Sequence, residues 1–216
     1  MKNYIFDLDG TVLDTIEGIQ VATNLALKNA GFDYSFDRDG TKMLIGDGAD
    51  TLMHRALKEN DSPDNFAKLK KEYLPLYHLK QEDHTFLFPN LLEVLKILKK
   101  DGARLFICTN KPDAFAKRIV SKMFGDELFE EVCGQLEGLP VKPDPRIPNY
   151  LIEKYNLIKE ETLFVGDSKT DVATGKNASL KVAICLWGYG FYTEELLKKC
   201  DYILKDPKDL LDTYVK

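Results

Sequence analysis

The sequence predicts an α/β fold, a doubly wound parallel sheet with a small inserted helical domain. Two observations lead there. From residue 87 onward, short apolar runs alternate with stretches of helical period, the pattern of strands buried on both faces by helices. Between residues 15 and 83, helical stretches follow one another with no convincing strand. The chain therefore makes one strand, detours through about seventy helical residues and returns to a βα repeat. An insertion at that point lies where open α/β sheets bind ligands, beyond the carboxyl ends of the strands.

The elements follow in order. A first strand over 3–8 carries Tyr4-Ile5-Phe6 and ends in Asp7-Leu8-Asp9-Gly10-Thr11. Asp14-Thr15-Ile16-Glu17 has the spacing of a capping box with Asp in the cap position, and Gly31 closes the helix it opens. Further helices are expected over 50–60 and 63–77. Residues 85–90 form the return linker, where Asn90 tolerates a left-handed turn. Leu91, Leu92, Val94, Leu95 and Leu98 form the apolar stripe of a helix over 90–100, which Gly102 ends. A buried strand over 104–109 follows, and Pro112 suits the start of a helix over 113–123. Then come a strand near Val132, a helix over 147–155, a strand over 162–165, a helix over 171–177, a strand over 181–184 and a helix over 193–199. The expected division is a core domain of 1–14 and 84–216, with 15–83 as the helical domain.

Composition narrows the function classes. The chain has 216 residues, 44% hydrophobic and 30% charged, with a net charge of −5. That balance implies no basic surface and argues against a nucleic-acid partner. No apolar stretch reaches the roughly 20 residues that span a bilayer, and no secretory signal is present, so no membrane role and a cytoplasmic location are expected. Cys108, Cys133, Cys185 and Cys200 lie far apart with no metal-ligand spacing. They read as reduced thiols packed as small apolar groups.

Four short elements carry chemistry. Asp7 and Asp9 sit two apart at a strand end and so project to the same side. Gly10 permits a tight turn there, and Thr11 offers a hydroxyl. Cys108-Thr109-Asn110-Lys111 closes the second buried strand, where Thr109 and Asn110 can donate to phosphate oxygens. Lys142 stands in a proline-rich run, Pro140-Val141-Lys142-Pro143. Asp167 and Asp171 follow an apolar strand one helical turn apart, a carboxylate pair suited to a hard cation such as Mg²⁺. Alone, each has a plain structural reading: a surface turn, Asn110 capping the helix at Pro112, a solvated lysine, Asp167 capping a helix with Asp171 in its first turn. Together they bring four acids, two small donors and one lysine to one sheet edge. Four carboxylates and a phosphate cannot share a pocket without a divalent metal and Lys142 to offset the charge.

The ordered set resembles the haloacid dehalogenase-like hydrolase superfamily over essentially the full chain, in the branch whose helical cap follows the first strand. The resemblance implies a Rossmann-like core, with residues 15–83 as the cap. It also implies a Mg²⁺-dependent phosphatase that forms an aspartyl-phosphate. Asp7 matches the nucleophile and Asp9 the general acid/base. Thr109 and Asn110 match the phosphate-binding motif, and Lys142 the charge-neutralising lysine. Asp7, the backbone carbonyl of Asp9, and Asp167 match the Mg²⁺ ligands, with Thr11 and Asp171 in support.

Gly46, Asp47 and Gly48, ahead of a helix carrying Arg55, are the candidate specificity residues of the cap. That segment and Trp187-Gly188-Tyr189-Gly190 resemble the phosphoglycolate phosphatase subgroup. The expected partner is a small phosphorylated metabolite, phosphoglycolate first among them, bound by a monomer or homodimer. A β-phosphoglucomutase-type phosphomutase or a pyrophosphatase would use the same core residues. A non-catalytic binding protein of this build would have lost part of the acid set. His54, His78 and His84 form no catalytic cluster and read as surface or hinge residues.

Overall fold

The computed structural model describes residues 1–80 and 82–215. In chain order the elements are β1 (Asn3–Phe6), β2 (Leu13–Asp14), α1 (Ile16–Asn29), α2 (Arg38–Lys42), α3 (Ala49–Leu57) and α4 (Pro63–Lys80). They continue with β3 (Phe86–Leu87), α5 (Leu91–Lys100), β4 (Arg104–Pro112), α6 (Asp113–Phe124), β5 (Glu131–Gln135) and α7 (Arg146–Tyr155). The last are β6 (Thr162–Gly166), α8 (Lys169–Asn177), β7 (Lys181–Cys185), α9 (Glu194–Leu197), β8 (Tyr202–Leu204) and α10 (Asp209–Thr213). The chain divides into two compact units, Met1–Leu13 with Leu87–Lys216, and Asp14–Phe86. Among the described residues, no helix is long and apolar enough to cross a membrane.

The first unit holds a six-stranded sheet in the order β5-β4-β1-β6-β7-β8, every neighbouring pair parallel. Alternation along the strands divides its apolar side chains between two faces. Tyr4, Phe6, Leu105, Ile107, Leu163 and Val165 pack on one face with Leu91, Leu95 and Leu98 of α5 and Ile119 of α6. Ile5, Phe106, Cys108 and Phe164 pack on the other with Leu151 of α7. Both faces are therefore covered, which is why these strands read as unbroken apolar runs. The central strand β1 registers Phe6 with Ile107 on one side and Val165 on the other. Their carboxyl ends thus come level at one edge.

Several boundaries differ from the sequence expectation. Strand β4 does not stop at Thr109 but runs to Pro112, with a register shift against β5 after Cys108. Helix α9 is a single turn capped by Thr193 through Leu196 N–H; beyond it the N–H groups of Lys199 and Cys200 bond only three residues back, in a tighter turn that leads to β8. Strand β8 and helix α10 carry too few residues to show a period.

The expected capping box at Asp14 does not form. Thr15 occupies the N-cap of α1 without a side-chain cap bond. Asp14 accepts from Arg38 at 3.1 Å, and Glu17 is bonded by His84 at 2.8 Å. Asn90 does adopt a left-handed φ of 65°, as does Ser179 at 59°.

The second unit is helical. Buried Ile16, Ile19, Ala22, Ala26 and Leu27 line one face of α1, and Leu69, Tyr73 and Tyr77 line one face of α4. The Tyr73 and Tyr77 rings stack at 5.5 Å. The short helix α2, unanticipated, begins where Asp37 accepts from Gly40 N–H at 2.7 Å.

Candidate active site

Strand β1 ends at Phe6, and the Asp7 N–H extends the ladder to the Val165 carbonyl at 2.8 Å. The chain then turns tightly, with the Leu8 carbonyl accepting from the N–H groups of Thr11, Val12 and Leu13. Gly10 has φ of 88°, and a Cβ there would lie 2.5 Å from Asp167 Oδ2. Only glycine meets both demands.

Lys142 is the hub of the site. Its buried Nζ donates to Asp7 Oδ1 at 2.6 Å and to Asp171 Oδ1 at 2.7 Å. Asn110 holds the lysine backbone: its Oδ1 accepts from Lys142 N–H at 2.7 Å and its Nδ2 donates to the Lys142 carbonyl at 3.2 Å. It does not cap α6, whose N-cap is Pro112. Thr109, also buried, accepts the Lys111 N–H on its hydroxyl oxygen at 3.2 Å.

Asp167 and Asp171 divide their work. Ser168, not Asp167, caps α8, and Asp171 completes a capping box by accepting from Ser168 N–H at 3.0 Å and Ser168 Oγ at 2.6 Å. Both Asp171 oxygens are thereby engaged. Asp167 accepts the Tyr189 N–H on Oδ2 at 2.7 Å and the Thr11 hydroxyl on Oδ1 at 3.3 Å.

One residue of the site carried no role in the sequence reading. Lys111, its side chain 1% exposed, donates to Asp9 Oδ1 at 2.9 Å. The available signal was period two: Lys111 follows Thr109 by two residues along an extended strand and so faces the same side.

The charge pattern fits a divalent cation. Oxygens of Asp7, Asp167 and Asp171 all lie within 4.8 Å of one another, and all three residues are buried. Burial, and then the charge of Asp171, push the Asp7 carboxyl above its ordinary range against the pull of Lys142. Burial and the charges of Asp171 and Asp7 push Asp167 up as well. Burial draws the Lys142 ammonium down, but Asp171 and Asp7 outweigh it and hold its pKa above the ordinary value. Three acids face one ammonium, so the cluster is short of positive charge. All-oxygen donors suit a hard ion such as Mg²⁺. The cysteines take no part: all four are free, and burial raises the thiols of Cys108 and Cys185.

In the helical unit, Gly46 and Gly48 have φ of 111° and 91° ahead of α3. Arg55 donates to the Leu44 carbonyl at 3.2 Å and pairs with the Asp47 carboxylate. Asp50 is paired with Lys70 at 2.8 Å. Gly46, Asp47 and Gly48 thus form one loop braced by Arg55 of α3, which offsets Asp47. His54 bonds Asp61 at 2.9 Å and stacks on Phe66, a surface arrangement.

A strand-end Asp nucleophile candidate, a buried lysine and an acid pair on one parallel sheet define a hydrolase class. The profile of Haloacid dehalogenase-like hydrolase matches residues 4–185, and the chain belongs to that family, as an enzyme of the phosphatase class. Individual relatives match over nearly their whole length. The chain is 30% identical over 218 residues to the phosphoglycolate phosphatase of Vibrio cholerae serotype O1, covering 98% of this chain and 96% of that one. It is 31% identical over 214 residues to the phosphoglycolate phosphatase of Mannheimia succiniciproducens, covering 95% of each. A crystal structure of a predicted phosphoglycolate phosphatase from Haemophilus somnus 129pt superposes with a TM-score of 0.90. It has 30% identity and covers 98% of this chain and 97% of that one.

Proposed function

We propose that the chain hydrolyses a small phosphate monoester, phosphoglycolate first, through an aspartyl-phosphate on Asp7 in a reducing, cytoplasmic compartment. The observation that carries the reading is Lys142 bridging Asp7 and Asp171, with Asp167 beside them. A carboxylate facing a buried ammonium and a second acid site is arranged to meet an incoming phosphoryl group. The curated relatives named phosphoglycolate phosphatase support the choice of substrate.

Asp7 attacks phosphorus, an aspartyl–phosphorus bond forms and the ester oxygen departs. Asp9 supplies the proton that the leaving oxygen takes up, and afterwards accepts one from the water that cleaves the aspartyl-phosphate. Inorganic phosphate leaves and Asp7 is regenerated. Lys142 favours the ionised form of Asp7 against burial and the neighbouring acids and offsets the phosphoryl charge, with its backbone held by Asn110. Thr109 offers its hydroxyl to a phosphoryl oxygen. A Mg²⁺ ion, when bound by Asp7, the Asp9 carbonyl and Asp167, would supply electrophilic charge to the phosphate. The loop of Gly46, Asp47 and Gly48 braced by Arg55 serves substrate choice.

The test is phosphate release from phosphoglycolate, other small esters and pyrophosphate, with MgCl₂ or EDTA. Turnover by the wild type should vanish with EDTA, and Asp7→Asn should lower it by at least about a thousandfold. Substantial turnover in Asp7→Asn would sink the covalent scheme. Release of phosphate in EDTA at the Mg²⁺ rate would sink the metal assignment.

A further inference from the structure

The segment Trp187-Gly188-Tyr189-Gly190 follows β7 and has no part in the steps above. It is nonetheless built against the site. The Tyr189 backbone N–H donates to Asp167 Oδ2 at 2.7 Å. The Trp187 indole N–H donates to the Thr11 carbonyl at 2.9 Å, in the turn that carries Asp7 and Asp9. A Cβ on Gly188 would collide with the Gly10 carbonyl oxygen and with the Asp167 side chain. One on Gly190 would collide with the Asp167 carbonyl. A Cβ on Gly10 would in turn meet the Tyr189 ring at 2.8 Å.

These contacts have a common target. Asp167 accepts one bond on each oxygen, from the loop on Oδ2 and from the Thr11 hydroxyl on Oδ1. Thr11 is itself held through its carbonyl by Trp187. Both grips on the carboxylate therefore depend on the same four residues. The obstacles around Gly188 and Gly190 include backbone oxygens, which cannot swing aside as a flexible side-chain end can.

We infer that residues 187–190 are a positioning clamp for Asp167, setting the orientation in which its carboxylate meets the divalent cation. The inference rests on the metal reading proposed above and extends it to a loop outside the four motifs. Partners that orient a metal ligand typically change affinity by about 10- to 100-fold when lost. The clamp also links the two strand ends, because Trp187 fixes the β1 turn while Tyr189 fixes the acid after β6.

The experiment is calorimetric titration of the full chain with MgCl₂, for the wild type, Gly188→Ala and Trp187→Phe. Near-UV circular dichroism checks that each variant is folded. Gly188→Ala should weaken Mg²⁺ binding by about 10- to 100-fold. Trp187→Phe keeps a ring but loses the indole N–H, and should weaken binding by at least about threefold, below the full loss of a partner. Phosphatase activity lost in either variant should return as MgCl₂ is raised, which damage to the fold alone would not allow. Mg²⁺ binding by Trp187→Phe within twofold of the wild type overturns the clamp, whether or not Gly188→Ala folds. A wild type that binds no Mg²⁺ overturns the metal reading instead.

Discussion

Lys142→Met removes the one ammonium bonded to both Asp7 and Asp171. Methionine fills much the same space, so the loss is one of charge and not of packing. It leaves Asp7, Asp167 and Asp171 buried within 4.8 Å of one another. Breaking a buried pair by removing one partner costs about 3–5 kcal/mol.

Proton uptake sets a similar scale. Holding a proton on a carboxyl of ordinary value 3.8 costs about 4 kcal/mol at neutral pH, at about 1.4 kcal/mol per pH unit. The expected loss is therefore about 3–5 kcal/mol in metal-free buffer, a fall in Tm of roughly 6–20 °C for a chain of this length. Urea unfolding followed by circular dichroism measures it, and added MgCl₂ should recover part of the loss by binding only the folded state. A loss below about 1 kcal/mol would refute the view that Lys142 compensates a crowded acid cluster.

Two further outcomes follow from other contacts. Lys111→Met frees Asp9 from its 2.9 Å partner. Turnover of an alkyl phosphate should fall by about 10²-fold, and that of an aryl phosphate, whose leaving group needs little protonation, by much less. Equal loss on both, read from initial rates, would separate Lys111 from the proton-transfer step. Glu130 is held below its ordinary value of 4.5 by hydrogen bonds from Arg104, against the opposing effect of burial. Its contribution is full above that value and fades as pH falls through the lower folded value. Glu130→Gln should therefore cost about 1 kcal/mol near neutrality and flatten the loss of stability below about pH 4.5. Parallel acid limbs in the two proteins would remove Glu130 from the account.

Much of the fold was legible because burial on both faces writes itself into a strand. Residues 4–6, 105–108, 163–165 and 182–184 are apolar runs within the four inner strands of the sheet, and each lay in a stretch readable as a strand. The α5 stripe and the turn at Asn90 were readable for the same local reasons. Ends were less so. The N-cap of α1 is Thr15, one residue past Asp14, while Asp14 and Glu17 pair with residues 24 and 67 positions away. Strand β8 and helix α10 rest on tertiary packing, with too few residues for a pattern of their own.

The opening motif divides along the same line. That Asp7 and Asp9 follow one strand, that Thr109 lies on another, and that Asp167 and Asp171 stand four residues apart after a third were all properties of neighbouring residues. Who touches whom was decided by the sheet order. Parallel pairing of β1 with β4 and β6 brings their carboxyl ends level, so Lys142 reaches an acid 135 residues away and Lys111 one 102 residues away. The same order lets the loop after β7 grip Asp167. It also gave Asn110 to the Lys142 backbone and Asp171 jointly to Ser168 and Lys142. Periodicity carries information over a few residues, enough to place each group at its strand end. Partners across the site are set by distances that exist only once the sheet has formed.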